Sequence, residues 1–223
     1  MFQQIWAVVR KDLTLELRSK EGLLAMLVFG LIVLVVLNFA FESMRQEARR
    51  IASGILWVAF TFAGVLGLNR SFAVERENRA LEAVRLAPID SGSLYLGKWL
   101  SSTVFMLIAE AFLLPVFVVL FDVRVDANLA KLLGFALLGT SGFCAIGALL
   151  SAVAANTRMR EVLLPILLFP LAVPLLIAAV EVSTALLAQG EPETIRQALR
   201  ILIGCNVIYV VLSYLVFEYV LEQ

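Results

Sequence analysis

The chain has 223 residues, and its mean hydropathy is +0.95. Hydrophobic residues make up 61% of the chain, compared with about 45–50% in a soluble domain. Eighteen basic and 18 acidic residues leave no net charge, so the overall charge favours neither nucleic acid nor an acidic partner. The apolar residues fall in blocks of roughly 20, the number that a helix needs to cross about 30 Å of hydrocarbon. We therefore predict a single all-α transmembrane domain over residues 1–223, because no loop between the blocks is long enough to bury a core.

Residues 1–20 are predicted to form an amphipathic interfacial helix that lies flat on the membrane surface. Apolar side chains recur at helical spacing on one face, namely Phe2, Ile5, Trp6, Val9, Leu13 and Leu17. Polar side chains lie elsewhere around the helix, namely Gln3, Arg10, Lys11, Thr14 and Arg18. An ordinary solvated helix is the alternative.

Six transmembrane helices are predicted to follow, near residues 22–41, 51–69, 98–121, 129–155, 162–180 and 199–220. The first block is too long for the core of a signal peptide and ends without a small-x-small cleavage site, so we expect it to be retained. The fifth span carries Pro165, Pro170 and Pro174, which predicts a kinked or interrupted helix. Residues 181–198 are predicted to form a re-entrant or surface hairpin on the outer side, with a plain loop as the alternative.

The distribution of basic residues predicts that both termini face the cytoplasm. Basic side chains are dense in the N-terminal segment and in the links that follow the second and fourth spans, namely Arg10, Lys11, Arg18, Lys20, Arg70, Arg76, Arg79, Arg85, Lys98, Arg158 and Arg160. On the other side, basic residues are diluted by nearby acidic ones.

Several kinds of chemistry are excluded or disfavoured. The chain has no histidine, which removes His-dependent triads and zinc or haem ligation by His. Cys144 and Cys205 lie in separate apolar blocks, so we expect neither a disulfide nor a closed metal site. Residues 92–98 fit the first seven positions of a phosphate-binding P-loop, but Trp99 stands where Ser or Thr must reach Mg²⁺. We therefore predict no catalytic residue, no metal and no cofactor bound by this chain, with any ATPase on a separate subunit.

The longest polar stretch is the connector at residues 70–97, which is predicted to be cytoplasmic. Its centre, residues 71–86, is predicted to be a charged helix that ends before Pro88. The candidate docking residues for a cytosolic partner are Glu75, Arg76, Arg79, Glu82 and Arg85. Glu75 and Arg79 have the i, i+4 spacing of a helix surface pair. A solvated connector is the alternative.

Two residues within the spans are candidates for function. Glu110 lies near the middle of the third span, where an ionised carboxylate costs several kcal/mol unless it is paired or hydrated. Its alternative role is a structural contact, as a neutral carboxyl or bonded to Ser, Thr or Asn on a neighbouring helix. Trp57, like Trp6 and Trp99, falls near a predicted membrane interface and is interpreted as an aromatic-belt residue. Trp57 could instead line a cofactor path.

The order and spacing of several strings resemble a known family. Residues 75–77, 80–82, 87–88 and 97–98 are similar to the cytoplasmic connector of ABC type-2 exporter membrane domains. Further strings resemble the CcmB family, haem exporter protein B of cytochrome c maturation, namely residues 11–13 with Glu16 and Arg18, 54–58, 67–72, and 154–158 with 163–165. The likeness runs through residues 8 to 180.

The resemblance implies a permease subunit in the bacterial inner membrane, working as a homodimer with two copies of a cytosolic ABC ATPase that binds ATP. It also implies further haem-handling membrane subunits and a periplasmic haem chaperone as partners, beside membrane lipid and no nucleic acid. Either haem is cargo that passes through the chain, or ATP hydrolysis releases the haem-loaded chaperone; the absence of histidine favours release. The alternatives are an ABC type-2 permease for a lipid, drug or glycan, and a non-transporting membrane scaffold.

Overall fold

The computed structural model of the protein describes residues 1–41, 45–77, 90–123, 127–155, 157, 159–188 and 190–221, with the backbone alone at some positions, among them 45–50 and 71–77. These residues form seven α-helices and no strand. The helices are α1 (Phe2–Ser19), α2 (Glu21–Ala40), α3 (Arg45–Glu77), α4 (Ser91–Leu120), α5 (Ala127–Ala155), α6 (Arg160–Leu187) and α7 (Pro192–Leu221). The predicted all-α class is confirmed.

Six of the described helices, α2 to α7, are long and apolar enough to cross a membrane, which agrees with the multi-pass prediction. They differ in how much of their most apolar stretch is covered by protein. That share is 72% for α3 and 67% for α5, but only 11% to 39% for the other four. The helices α3 and α5 are therefore the centre of the bundle, and the outer helices turn apolar faces towards lipid.

Hydrogen bonds from polar side chains link neighbouring helices, as is common inside membranes, where apolar packing alone gives little specificity. The Asn38 side chain of α2 donates to the carbonyl of Leu120 at the end of α4, over 2.7 Å. On α7, the Asn206 side chain donates to the carbonyl of Leu138 on α5 at the same distance. These bonds fix the register of outer helices against their neighbours.

The helix α6 continues through Pro165, Pro170 and Pro174 without the interruption that was one of its two predicted forms. The prediction for residues 181–198 was wrong: α6 runs on to Leu187 and α7 begins at Pro192, so the described residues form neither the predicted hairpin nor the alternative loop. Prolines within a membrane helix are tolerated where protein packs around them. The Tyr209 hydroxyl of α7 donates to the carbonyl of Leu171, between Pro170 and Pro174, and so ties α7 to this part of α6.

The last helix begins at Pro192, seven residues earlier than predicted. Proline suits the first helical position, because its missing N–H would have no partner there. Residues 188–191 alone separate α6 from α7, which makes the connection a short turn.

At the start of the connector at 70–97, residues 71–77 are helical as predicted, and they continue α3 without a break. At the other end α4 already begins at Ser91, where the Asp90 carboxylate accepts from the Ser93 N–H over 3.0 Å and caps the helix. The P-loop-like string at residues 92–98 is therefore helical. Residues 78–89, including the predicted helix end at Pro88, lie outside the described residues.

The predicted N-terminal helix is present as α1, and it packs one face against the bundle, which the sequence did not predict. Val8, Val9, Asp12 and Glu16 are buried, whereas Trp6 of the predicted apolar face is 62% exposed. The face of α1 that packs against the bundle carries two acidic residues, Asp12 and Glu16. The exposed apolar side chains remain on the side that can meet lipid headgroups.

Candidate functional site

The end of the bundle that carries α1, called the α1 end below, holds the main cluster of buried charge among the described residues. Here α1 lies along the first turns of α4, and the two helices touch at Val8 and Gly97. A Cβ at Gly97 would lie 2.6 Å from the Cβ of Val8, so only glycine allows this approach. The close contact brings the next turn of α1 within reach of polar side chains on α4.

Asp12 on α1 and Lys98 on α4 form a buried ion pair, with 3.0 Å between Lys98 Nζ and Asp12 Oδ2. Their side chains are only 6% and 2% exposed. The Ser101 hydroxyl donates to the same Asp12 oxygen over 3.1 Å, and Lys11 Nζ lies 3.1 Å from the other one. A charge this deeply buried is tolerated only when it is paired and hydrogen-bonded, so this pair fixes where α1 sits.

Glu16 lies one turn further along α1, against Gly22 in the first turn of α2 and near Arg70 on α3. Burial raises the pKa of the Glu16 carboxyl above its ordinary value of 4.5; Arg70 and Lys98 oppose this shift, and Asp12 adds to it. Arg70 also forms an ion pair with Glu21, the first residue of α2. The charges at the α1 end therefore couple α1, α2, α3 and α4.

The joint between α1 and α2 is a single residue, Lys20, in the left-handed conformation with φ of 55°. Its N–H donates to the carbonyl of Glu16 over 2.9 Å, which closes the end of α1. Because no loop separates the two helices, the end of α1 fixes where α2 begins.

A small cavity opens between these helices and reaches into the bundle. Asp12, Glu16 and Ser101 line it at the α1 end, and Met106 and Cys144 line it further in. It offers about 20 Å³ to the centre of a water molecule, which is room for about one water. This cavity is far too small for a porphyrin.

The five predicted docking residues lie at or beyond the end of α3. Glu75 and Arg76 lie in its last turns, whereas Arg79, Glu82 and Arg85 lie outside the described residues. The position of the first two matters, because they share one uninterrupted helix with Arg70. A rise of 1.5 Å per residue places Glu75 roughly 8 Å along the axis from Arg70.

Glu110 is buried where α4 packs against α5, and the Thr140 hydroxyl donates to its Oε1 over 2.6 Å. Glu110 is 5% exposed, and its Oε2 has no hydrogen-bond partner among the described residues. This is the contact expected from the structural alternative for Glu110, a bond to Ser, Thr or Asn on a neighbouring helix.

Trp57 of α3 is buried, and its indole N–H donates to the hydroxyl of Ser183 on α6 over 2.9 Å. The ring is 3% exposed and does not line the cavity at the α1 end. Trp99 is also hydrogen-bonded inside the bundle, to the carbonyl of Ser141. Both tryptophans contribute interhelical hydrogen bonds in this arrangement.

Asp12, Glu16, Lys98 and Ser101 were not among the predicted site residues. The signal that could have found them is the acidic pair at i and i+4 on an otherwise apolar and basic helix. Three segments that carried the resemblance, around residues 12, 70 and 98, meet at the α1 end.

The comparison with protein families gives a match over nearly the whole chain. The family described as CcmB protein matches residues 3–222, which extends the likeness beyond residue 180 and through α7.

Curated relatives cover most of their own length as well. Heme exporter protein B of Rhodobacter capsulatus is 32% identical over 179 residues, which are 78% of this chain and 80% of that protein. Heme exporter protein B of Paracoccus denitrificans is 32% identical over 188 residues, 84% of this chain and 86% of that protein. The protein of the same name from Bradyrhizobium diazoefficiens is 28% identical over 203 residues, 87% and 89% of the two chains.

Proposed function

Since the chain belongs to the CcmB family, we propose that it is the membrane permease subunit of a haem exporter that acts in cytochrome c maturation. The family and the relatives' names support this function, and the six apolar helices fit a multi-pass membrane subunit. The proposal extends to the mechanism: a separate cytosolic ABC ATPase drives the subunit by pushing on the end of α3.

The observation that carries the mechanism is the continuity of α3. Its 33 residues correspond to roughly 50 Å of helix, while the hydrocarbon is about 30 Å thick. The candidate span within it ends at Arg70, and α3 continues without a break through residues 71–77, which lead to the proposed docking segment. A helix has little bending freedom over two turns, so a displacement of this extension would move the second span itself.

The charges at the α1 end would pass the same displacement to other helices. Arg70 is paired with Glu21 on α2, and its charge acts on Glu16 of α1, which lies one turn from the Asp12–Lys98 pair. A movement of α3 would therefore reach α1, α2 and α4 without a flexible intermediate.

The remaining parts of the proposal concern orientation, partners and cargo. The subunit lies in the bacterial inner membrane with the α1 end in the cytoplasm, and works as a homodimer with two ATPase copies. Further haem-handling membrane subunits and a periplasmic haem chaperone complete the complex. Of the two cargo mechanisms, release of the loaded chaperone is favoured over passage of haem through the α1-end cavity, which has no room for a porphyrin.

The mechanism is tested by exchanging the charges of Glu75 and Arg79. The double variant Glu75→Lys, Arg79→Glu keeps two opposite charges at the predicted i, i+4 spacing and reverses the charges of the proposed docking surface. We expect the purified complex to lose most of its transport-coupled ATP hydrolysis, and cells to accumulate less mature cytochrome c, while the subunit still inserts.

The matched control is Glu193→Arg, Arg196→Glu. This pair, 2.9 Å apart and exposed, lies at the start of α7, at the opposite end of the bundle because consecutive spans alternate in direction. ATP hydrolysis and cytochrome c assembly should stay normal in this variant. Normal coupling in the Glu75 and Arg79 variant would overturn the docking assignment, and intact cytochrome c assembly in a strain that lacks the subunit would overturn the haem-export function.

A further inference from the structure

Three sulfur-containing side chains from three different helices line the α1-end cavity: Met26 of α2, Met106 of α4 and Cys144 of α5. They are 1%, 3% and 1% exposed. Two of the five methionines and one of the two cysteines in the chain thus meet at one cavity. The proposed transport mechanism uses none of them.

Two of the sulfur atoms are in direct contact. Met106 Sδ and Cys144 Sγ lie 3.8 Å apart. Both could contact one ion at roughly 2.3 Å, the length of a zinc–thiolate bond, without a change in the backbone.

The helix α3 makes room for both thioethers by presenting glycine on adjacent turns. A Cβ at Gly64 would lie 2.8 Å from Met106 Sδ, and a Cβ at Gly67 would lie 2.7 Å from Met26 Sδ. Any side chain at either position would displace a sulfur atom. The two glycines therefore seat both methionine sulfurs against the same face of α3, beside the cavity.

We propose that this cavity is a binding site for a soft monovalent metal ion, Cu(I), with Met26, Met106 and Cys144 as its ligands. Thioether and thiolate ligands select Cu(I) over the harder divalent ions. Among the described residues no group of three or more His, Cys, Asp or Glu side chains is placed to hold a metal, so a ligand set has to draw on methionine. The site goes beyond haem export and does not depend on it.

Charge balance also favours a monovalent ion. On binding, the Cys144 thiol gives up its proton and one copper–sulfur bond forms, while the two thioethers add neutral lone pairs. The copper(I)–thiolate unit is then neutral, whereas a divalent ion would leave a net positive charge among buried apolar side chains. The proton leaves towards the α1 end, where Asp12 and Glu16 line the mouth of the cavity.

The test is copper binding by the detergent-purified full-length protein, without oxygen, in competition with the Cu(I) chelator bicinchoninate. We expect about one copper per chain for the unchanged protein, and about tenfold or greater loss of affinity in Cys144→Ser and in Met106→Leu. Met106→Leu conserves volume, so it keeps the test valid if the cysteine variant folds poorly. X-ray absorption should show sulfur as the copper's neighbour.

The chain offers a matched control for each ligand. Cys205 lies on α7 and Met159 is 68% exposed before α6, and neither lines the cavity. Cys205→Ser and Met159→Leu should bind copper like the unchanged protein, and excess Zn²⁺ should not displace it. The proposal is overturned if the unchanged protein takes up no copper against the chelator, if Cys144→Ser and Met106→Leu bind as tightly as it does, or if the two controls lose the metal.

Discussion

At the scale of single residues, the most costly feature is the placement of Asp12 and Lys98 away from water. Each charge alone would carry a desolvation penalty of several kcal/mol, which their contact, the Ser101 hydroxyl and the nearby Lys11 ammonium offset. Such a pair adds little net stability compared with apolar side chains of the same size, but it makes the position of α1 specific. A helix held by apolar contacts alone could slide or rotate on α4, whereas a charge pair permits one register.

The ion pair gives the first prediction, a strong difference between single and double variants. Asp12→Leu leaves Lys98 without its paired carboxylate, and should destabilise the protein by about 3–5 kcal/mol. The double variant Asp12→Leu, Lys98→Met should recover most of this loss, because neither member of the pair is left as a buried charge without its partner. The coupling energy between the two residues is measured by thermal unfolding, in one detergent, of Asp12→Leu, of Lys98→Met and of the double variant. Additive effects of the two substitutions would show that the pair does not act as a unit.

Glu16 gives a prediction about pH. Because its pKa is raised in the folded protein, the folded state holds a proton that the unfolded state has already released above pH 4.5. Stability should therefore fall as the pH rises from 4.5 through the folded-state pKa of Glu16, and level off above it. In Glu16→Gln this fall should disappear.

Melting temperatures of the unchanged protein and of Glu16→Gln, measured in steps from pH 4.5 to neutral pH, test this. Three charged groups face Glu16, namely Arg70, Lys98 and Asp12, and they are the same in both proteins. The difference between the two melting curves therefore reports the titration of Glu16. Parallel curves would contradict the assignment.

At the scale of secondary-structure elements, the contact of α1 with α4 depends on Gly97. In Gly97→Val the new side chain would collide with Val8, whose branched Cβ cannot turn away, so α1 must move off α4. We expect faster hydrogen exchange across residues 2–19 and the loss of the Asp12–Lys98 contact. Gly134→Val is the control, because nothing lies within 4 Å of a Cβ there. Equal exchange of α1 in both variants would argue against the close contact.

The extent of the elements could be predicted from the sequence only in part. The blocks of apolar residues located all six spans, because hydrocarbon thickness sets a length that any sequence must satisfy. The prolines gave less guidance for α6, because their effect on a membrane helix depends on how neighbouring helices pack around it. Those neighbours, such as α7 with its Tyr209 bond to Leu171, belong to other parts of the chain.

The site was harder to predict than the spans. Glu110 stands out in any sequence reading because a carboxylate inside a span is costly. Asp12 and Lys98 do not stand out, since each looks like a surface charge beside a membrane and only the folded chain shows that they are buried together. The sulfur cluster was missed for a similar reason, because methionines at positions 26 and 106 read as ordinary apolar residues.

At the scale of the whole molecule, orientation in the membrane is open to a direct test. Single cysteines at Lys20 and at Glu191 would mark the α1 end and the turn between α6 and α7, in a protein with Cys205→Ser; Cys144 is buried. A membrane-impermeant maleimide should label the Glu191→Cys variant in intact spheroplasts, and the Lys20→Cys variant only in inverted vesicles. The reverse pattern would place the α1 end, and with it the proposed docking segment, outside the cell.

Because α3 is unbroken, a rotation about its axis at one end would be transmitted along the whole helix. A helix that is hydrogen-bonded from Arg45 to Glu77 passes on rotation as well as translation, and a turn of about 30° carries each Cα through roughly 1 Å. The Met106 sulfur packs against Gly64 and the Met26 sulfur against Gly67, where an added Cβ would lie only 2.8 and 2.7 Å away, so even this small twist would shift both thioethers. A rotation applied at the end of α3 would thus move the side chains that line the proposed copper site inside the bundle.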